Sequence, residues 1–486
     1  MHWMGFARCL LPGKTALASK NVLSNRTVLP GKALLSGMAL LLLAMAAVPA
    51  GAESCPFDDS WLEGAAPSQP LTVTARDASK GIDECDFYRF AWQYFLYLTQ
   101  PEKTAPLFEE WPVVDEVFPY RQAHSPCPNG HQPIIHKFDE SNQAGSSALL
   151  YDQHGNQVFY QIYMNEVLEC TIDACQLSNY GCVKDAMGQP LATGFSLPVG
   201  SVDLKTSWRQ LPSDLDSQAQ YYYTVDADLQ PPGSTGQCKE DIRMGMAGFH
   251  LTVKTQHHPE FLWFTFEQVD NAPNCVAGSC QCPAGEERSD GSCKKNLVGC
   301  QVPVSQGGPN GFWAFADNAG GAMSAGNANP ANICRAYENG GGSATNSAFI
   351  DSINSQAQSA LGSSVWSNYV LIGGQWTSGG KLEFDGNILL NQAGSLKLAN
   401  ASMETYTQND SCFNCHAPRP KKHGKTGQIL FSHLFGTTFV PKDTTATCPI
   451  NVVDTCYELC VGHDTSASLE PVPSHASGGA AAGAPR

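Results

Sequence analysis

Two hydrophobic periodicities organise the chain. Between residues 84 and 99 aromatic side chains follow one another too densely for an exposed face: Phe87, Tyr88, Phe90, Trp92, Tyr94, Phe95 and Tyr97. Asp83 can cap this segment and Asp86 adds a carboxylate to its first turn, so Glu84–Thr99 reads as a helix lying deep in the fold. From 147 to 269 the period falls to two. Residues 148–151 and 157–164, joined by Asp152-Gln153-His154-Gly155-Asn156, read as a hairpin, with further strands expected over 200–208, 221–225, 248–254 and 261–267. Residues 344–361 and 396–408 read as helices and 366–376 as a strand, while the Gly-, Asn-, Ala- and Ser-rich stretch 305–347 reads as long loops. The predicted class is α+β, with a mainly antiparallel β domain, helices, and a C-terminal helical and loop region.

The two ends depart from this pattern. The first 52 residues carry five basic groups and no acid, then an apolar run over 38–48 and Ala50-Gly51-Ala52. That is the make-up of a cleaved secretory signal, and its apolar run is shorter than the ~20 residues a bilayer span needs. No later segment resembles a span. The Ser-, Ala-, Gly- and Pro-rich tail over 465–486 is expected to be disordered. Residues 53–394 then form the β-rich domain and 395–464 the C-terminal region.

Composition narrows the setting. Of 486 residues, 42% are hydrophobic and 15% charged, ample for a core. Nineteen cysteines are too many for a reducing cytosol, which places the chain in the periplasm or another exported location. The net charge of −16, becoming −21 once the five basic leader residues are removed, argues against nucleic acid and for a basic partner. Five cysteines between 275 and 300 resemble part of an EGF-like knot and read as a stapled insertion. No histidine accompanies them to suggest zinc.

The most specific signal is Cys412-Phe413-Asn414-Cys415-His416. C-x-x-C-H is the pattern of c-type haem attachment: two thiols three positions apart reach the two vinyl groups of one porphyrin edge, and the next imidazole reaches the iron. Removing Cys9 with the signal and assigning Cys412 and Cys415 to one covalent haem leaves sixteen cysteines for disulfides. Cys456 and Cys460, followed by His463, have the wrong spacing for a second haem and read as staples. His416 is the expected axial ligand. No methionine follows Met403, so His433, in the apolar run 429–435, is the leading candidate for the sixth ligand, with His250 and Met403 as alternatives and an open position as another. His423, among Lys421, Lys422 and Lys425, reads as solvated. His257-His258-Pro259-Glu260 reads as structural, because adjacent histidines on an extended chain point to opposite faces. No nucleophile elbow, Walker loop, zinc-protease helix or dinucleotide fingerprint is present.

Four stretches carry a resemblance: residues 86–93, 248–255, 258–263 with 266–273, and 398–400 with 403–405 ahead of the haem motif. They resemble a group of largely uncharacterised exported bacterial proteins of the cytochrome c family, over roughly residues 83–440. The resemblance implies a periplasmic mono-haem protein with Cys412, Cys415 and His416 as its haem residues, and implies no substrate. The expected function is electron transfer to and from a redox partner protein with a basic docking surface. The alternatives are a haem-dependent oxidoreductase acting on a small molecule and a haem-based ligand sensor.

Overall fold

A helix whose buried residues include Phe87, Tyr88, Phe90, Trp92 and Phe95 must be covered on nearly every side, and helix α1 (Glu84–Thr99) is. It lies with α4 (Ala344–Leu361) on one face of an eight-stranded sheet. The Trp92 indole donates to Asn354 Oδ1 at 3.0 Å, joining the two helices. Phe95 stacks on Phe266 at 4.4 Å and Phe90 lies 5.8 Å from Phe264, joining α1 to the sheet.

The computed structural model describes residues 54–62, 84–100, 105–118, 137–138, 149–189, 194–229, 239–280, 285, 300–303, 307–317, 330–386, 388–397, 400–417, 432–435, 440–452, 456, 458 and 460. The expected signal, the tail over 465–486, His423 and most of the cysteine-rich segment lie outside them. No described helix is long and apolar enough to cross a membrane.

The strands are β1 (Lys137–Phe138), β2 (Phe159–Met164), β3 (Val202–Gln210), β4 (Thr224–Leu229), β5 (Lys239–Thr255), β6 (His258–Gln268), β7 (Tyr369–Thr377), β8 (Phe384–Asp385), β9 (Ile388–Leu389) and β10 (Gln392–Gly394). Strand β5 is the spine. Met244 and Gly245 pair with both β3 and β4, and Gly248 to Val253 with both β3 and β6, so β3 holds one edge of β5 while β4 and β6 share the other. β2 extends the first edge, and β7 and β10 extend the sheet beyond β6. Every pairing is antiparallel except that of β1 with β4, so the fold is α+β with a mainly antiparallel sheet.

Most expected elements are present with shifted ends. The hairpin closes through a Tyr151–Gln157 bridge, and Asp152 holds its turn by accepting from the His154 and Asn156 N–H groups. The strand expected over 366–376 divides into a 3₁₀ turn at Val365–Asn368 and β7. Helices α2 (Glu166–Ala174) and α3 (Tyr180–Met187) were not apparent in the sequence pattern; each is capped by an asparagine, Asn165 or Asn179, accepting from a backbone N–H.

The helix expected over 396–408 is not formed among the described residues; those from 400 to 410 form turns and bends. Polar side chains there bond the local backbone: Asn400 Oδ1 accepts from the Ser402 N–H, Glu404 Oε2 from the Asn400 N–H, and Thr405 Oγ1 donates to the Ala401 carbonyl. Such bonds compete with the helical ladder.

Six disulfides are described. Cys55–Cys85 ties the N-terminal segment to α1, and Cys275–Cys334 with Cys280–Cys300 staples the insertion. The sulfurs of Cys275, Cys280 and Cys300 lie within 4.8 Å of one another, but all three are oxidised and none is a thiolate available to zinc. The other bridges, Cys170–Cys460, Cys175–Cys456 and Cys182–Cys448, run in reverse order as an antiparallel ladder that fastens α2 and α3 to the C-terminal segment. Cys456 and Cys460 are staples, as expected.

Candidate functional site

The two faces of the sheet differ in chemistry. Toward α1 and α4 point Leu204, Phe249, Leu251, Val253, Leu262, Phe264 and Phe266, one apolar cluster. Alternation along each strand sends the intervening side chains to the opposite face. The register arranges these in three cross-strand rows: Ser207–Gly248–Glu267, Lys205–His250–Thr265, and Asp203–Thr252–Trp263–Gln375. A polar sheet face ordinarily meets water. This one is covered, and Asp203, Ser207, Thr252, Thr265, Glu267 and Gln375 are fully buried.

The cover is the segment that leads into the C-x-x-C-H motif, together with residues 432–435. Asn400 donates to Thr265 Oγ1 at 3.1 Å and to the Phe266 carbonyl at 2.8 Å, and the Ala401 N–H donates to Glu267 Oε1. Ser402 and Ser207 share a 2.6 Å hydrogen bond across Gly248. A β-carbon at 248 would stand 2.5 Å from Ser402 Oγ, so glycine is what permits this approach. Desolvation pushes the buried Glu267 carboxyl above its ordinary range, opposed chiefly by Arg335, whose Nε lies 3.3 Å from Glu267 Oε2.

The motif forms α5 (Cys412–His416), little more than one turn. Phe413 anchors it in the cluster that contains Phe261, Trp263, Leu389 and Leu434. Ser411 Oγ donates to Gln392 Oε1 at 2.9 Å and Asn414 donates to Asp410 Oδ1 at 3.0 Å, which fixes its entry. Cys412 is half-buried and Cys415 exposed, and both are thiols, whereas the other twelve described cysteines are oxidised. Burial pushes the Cys412 thiol well above its usual range, the opposite of the low-pKa thiolate that a thioredoxin-like pair uses.

The structure brings His250, His416 and His433 together and sets Met403 apart. The His416 and His433 rings are 5.3 Å between centroids, and Trp263 lies 4.5 Å from the first and 4.8 Å from the second. His250 is 6.1 Å from His433. Met403 is buried in a different cluster, with Tyr160, Ala247 and Tyr406. His416 Nδ1 lies 3.3 Å from the Ser432 carbonyl, and His433 Nδ1 is held by Asp203 Oδ1 while Asp203 Oδ2 accepts the His433 N–H at 3.2 Å. His250 Nε2 lies 3.2 Å from Glu404 Oε1, outside hydrogen-bond alignment. Burial lowers the pKa of His416 well below the ordinary histidine value and lowers that of His433, whose partner Asp203 opposes the shift; both imidazoles are neutral near pH 7.

This donor set fits a haem of the c type. Two thiols at the required spacing precede an imidazole whose Nδ1 faces a carbonyl, leaving Nε2 for iron; His433 is anchored through Nδ1 by a carboxylate in the same way. Sequence reasoning missed Asp203, Lys205, Trp263, Glu404 and Ser432. Their signal was the polar stripe His250, Thr252 and Lys254 alternating with Phe249, Leu251 and Val253, which marks a face without saying what covers it.

Lys254, on the same face, is only 4% exposed, its ammonium 5.4 Å over the Phe261 ring. Burial lowers its pKa to about 7, against an opposing pull from Glu260. From there to the ordinary lysine range the unfolded chain holds a proton that the folded chain lacks, so stability rises with pH across that window and the penalty is complete below it. Lys254→Met is therefore expected to stabilise the protein by on the order of a few kcal/mol at pH 6, fading toward pH 10. Urea melts across that range measure it, and a pH-independent gain would contradict the assignment.

No known protein family, curated protein or solved structure matches the chain.

Proposed function

We propose that this protein is an exported mono-haem c-type cytochrome, with haem bound covalently through Cys412 and Cys415 and ligated by His416, that transfers electrons to and from a partner protein. The observation that carries the reading is the redox contrast: in a chain otherwise cross-linked by disulfides, the described cysteines left as thiols are those of the C-x-x-C-H motif. The disulfides, the basic, acid-free leader and its apolar run support export, and the net charge of −16 supports a basic partner.

When bound, haem supplies a one-electron Fe(III)/Fe(II) couple. The protein's own groups hold the ligands still. The Ser432 carbonyl orients His416, Asp203 orients His433, and Trp263 and Phe413 keep water from the imidazoles. His433 would be the second iron-binding imidazole in this reading, since its Nδ1 is engaged by a carboxylate while His250 lies beside Glu404 and Met403 sits in another cluster.

A second reading, a haem-dependent oxidoreductase or ligand sensor, draws support from two histidine–carboxylate pairs beside His416, more than electron transfer needs. The visible spectrum of the purified protein, oxidised and reduced, with and without CO, tests both. A low-spin spectrum indifferent to CO is expected for electron transfer, and a CO-induced change supports the second reading. His433→Ala is expected to convert the iron to high spin; an unchanged spectrum would point to His250, Met403 or another ligand.

A further inference from the structure

Strands β8 and β9 form a small hairpin directly against α5. Phe384 pairs with Leu389 and Asp385 with Ile388, and the Leu390 N–H donates to the Glu383 carbonyl at 2.8 Å. Gly386, at φ 65°, occupies the tight turn. Alternation therefore gives the hairpin two unlike faces. Leu382, Phe384 and Leu389 belong to the cluster that holds Phe413 and Trp263. The other face carries Ile388, 48% exposed, and Leu390, 59% exposed, each opposite an exposed carboxylate residue, Asp385 and Glu383.

The inner face alone is enough to seat the hairpin, so the exposed aliphatics add nothing to the core. They are also not scattered: of the six large hydrophobics exposed among the described residues, Ile388, Leu390 and Leu396 fall within nine positions. Adjacent exposed apolar side chains rimmed by charge mark an interaction surface. Charge selects the occupant. Glu383 and Asp385 outnumber Lys381 among the exposed residues of the 381–390 segment, and the whole chain is strongly acidic.

The geometry points to the outer face of the 381–390 hairpin as the docking surface for a basic redox protein, one with an apolar centre ringed by lysine or arginine. This rests on the cytochrome reading and adds the surface to it. Ile388 and Leu390 meet the partner's apolar centre, Glu383 and Asp385 meet its cations, and the contact forms beside α5, against which the hairpin packs.

The test uses the full-length ferric holoprotein and two zinc-substituted small cytochromes c, one of net positive and one of net negative charge. Photoexcited zinc porphyrin gives one electron to the ferric haem and is itself oxidised by one electron, and flash photolysis reads the bimolecular rate. The basic probe is expected to react about tenfold faster than the acidic one at low ionic strength. Glu383→Lys/Asp385→Lys is expected to remove that advantage, and Ile388→Ser/Leu390→Ser to slow the basic probe about threefold even at high salt. Equal rates for the two probes, or variant rates at the wild-type value with the haem spectrum intact, overturn the docking surface and leave the cytochrome reading standing. Absence of covalent haem from the wild-type protein overturns both.

Discussion

Cys412→Ala/Cys415→Ala yields a folded protein with no covalently bound haem. Haem staining of a denaturing gel is expected to be lost completely, and each single variant is expected to retain a reduced amount through its remaining thioether. The fold tolerates the change because neither thiol anchors α5. Cys412 is half-buried and Cys415 exposed, while Phe413, 3% exposed, holds the helix in the core and Ser411 and Asn414 fix its approach. Substitutions of this kind cost about 1 kcal/mol. An unchanged far-ultraviolet spectrum and cooperative melt therefore separate lost attachment from lost fold. Haem stain at the wild-type level in the double variant would refute attachment at this motif.

The second large effect lies in the disulfide ladder between α2–α3 and the C-terminal segment. Cys182–Cys448 alone closes a loop of 266 residues, which on chain-entropy grounds contributes about 5.6 kcal/mol. With that bridge in place, Cys175–Cys456 and Cys170–Cys460 each close only a short loop and contribute about 3 kcal/mol. Because the three bridges are close together, any one can be lost while the others keep the long loop closed. Single-pair alanine variants are each expected to lose about 3 kcal/mol in urea melts, whereas removing all three is expected to lose about 11 kcal/mol, as much as the whole net stability of a typical domain. The triple variant then has no cooperative transition. A triple variant that melts like the single ones would show that side-chain packing, not the ladder, holds the C-terminal segment.

What the sequence made legible follows from how local the signal is. Helices α1 and α4 are encoded in aromatic density and in apolar spacing, and their ends agree with the expectation. The C-x-x-C-H pattern stands out in the sequence because the chemistry proposed for it lies within five consecutive residues. The turns at 400–410 misled because Leu396, Leu398 and Met403 supply apolar residues for a helix while Asn400, Ser402 and Thr405 spend their polar groups on the nearby backbone and on β6. The environment of His416 was illegible for another reason. Asp203 reaches His433 across 230 residues and Tyr160 reaches Ser402 across 242, and no periodicity records such a meeting. Disulfide connectivity is hidden in the same way, since spacing counts cysteines without pairing them.

The shortness of α5 sets an order of events. Five residues cannot hold a helix outside the fold. In the unfolded chain, Cys412 to His416 is open peptide with both sulfurs reachable. Once Phe413 has entered its cluster, Cys412 is half-covered and His416 is lodged against Trp263 and His433. On the proposed cytochrome reading, haem attachment would therefore belong to the unfolded chain, with packing following it. On that reading a molecule that packs first offers an exposed Cys415 but a half-covered Cys412, so the yield of holoprotein would follow a race between attachment and folding.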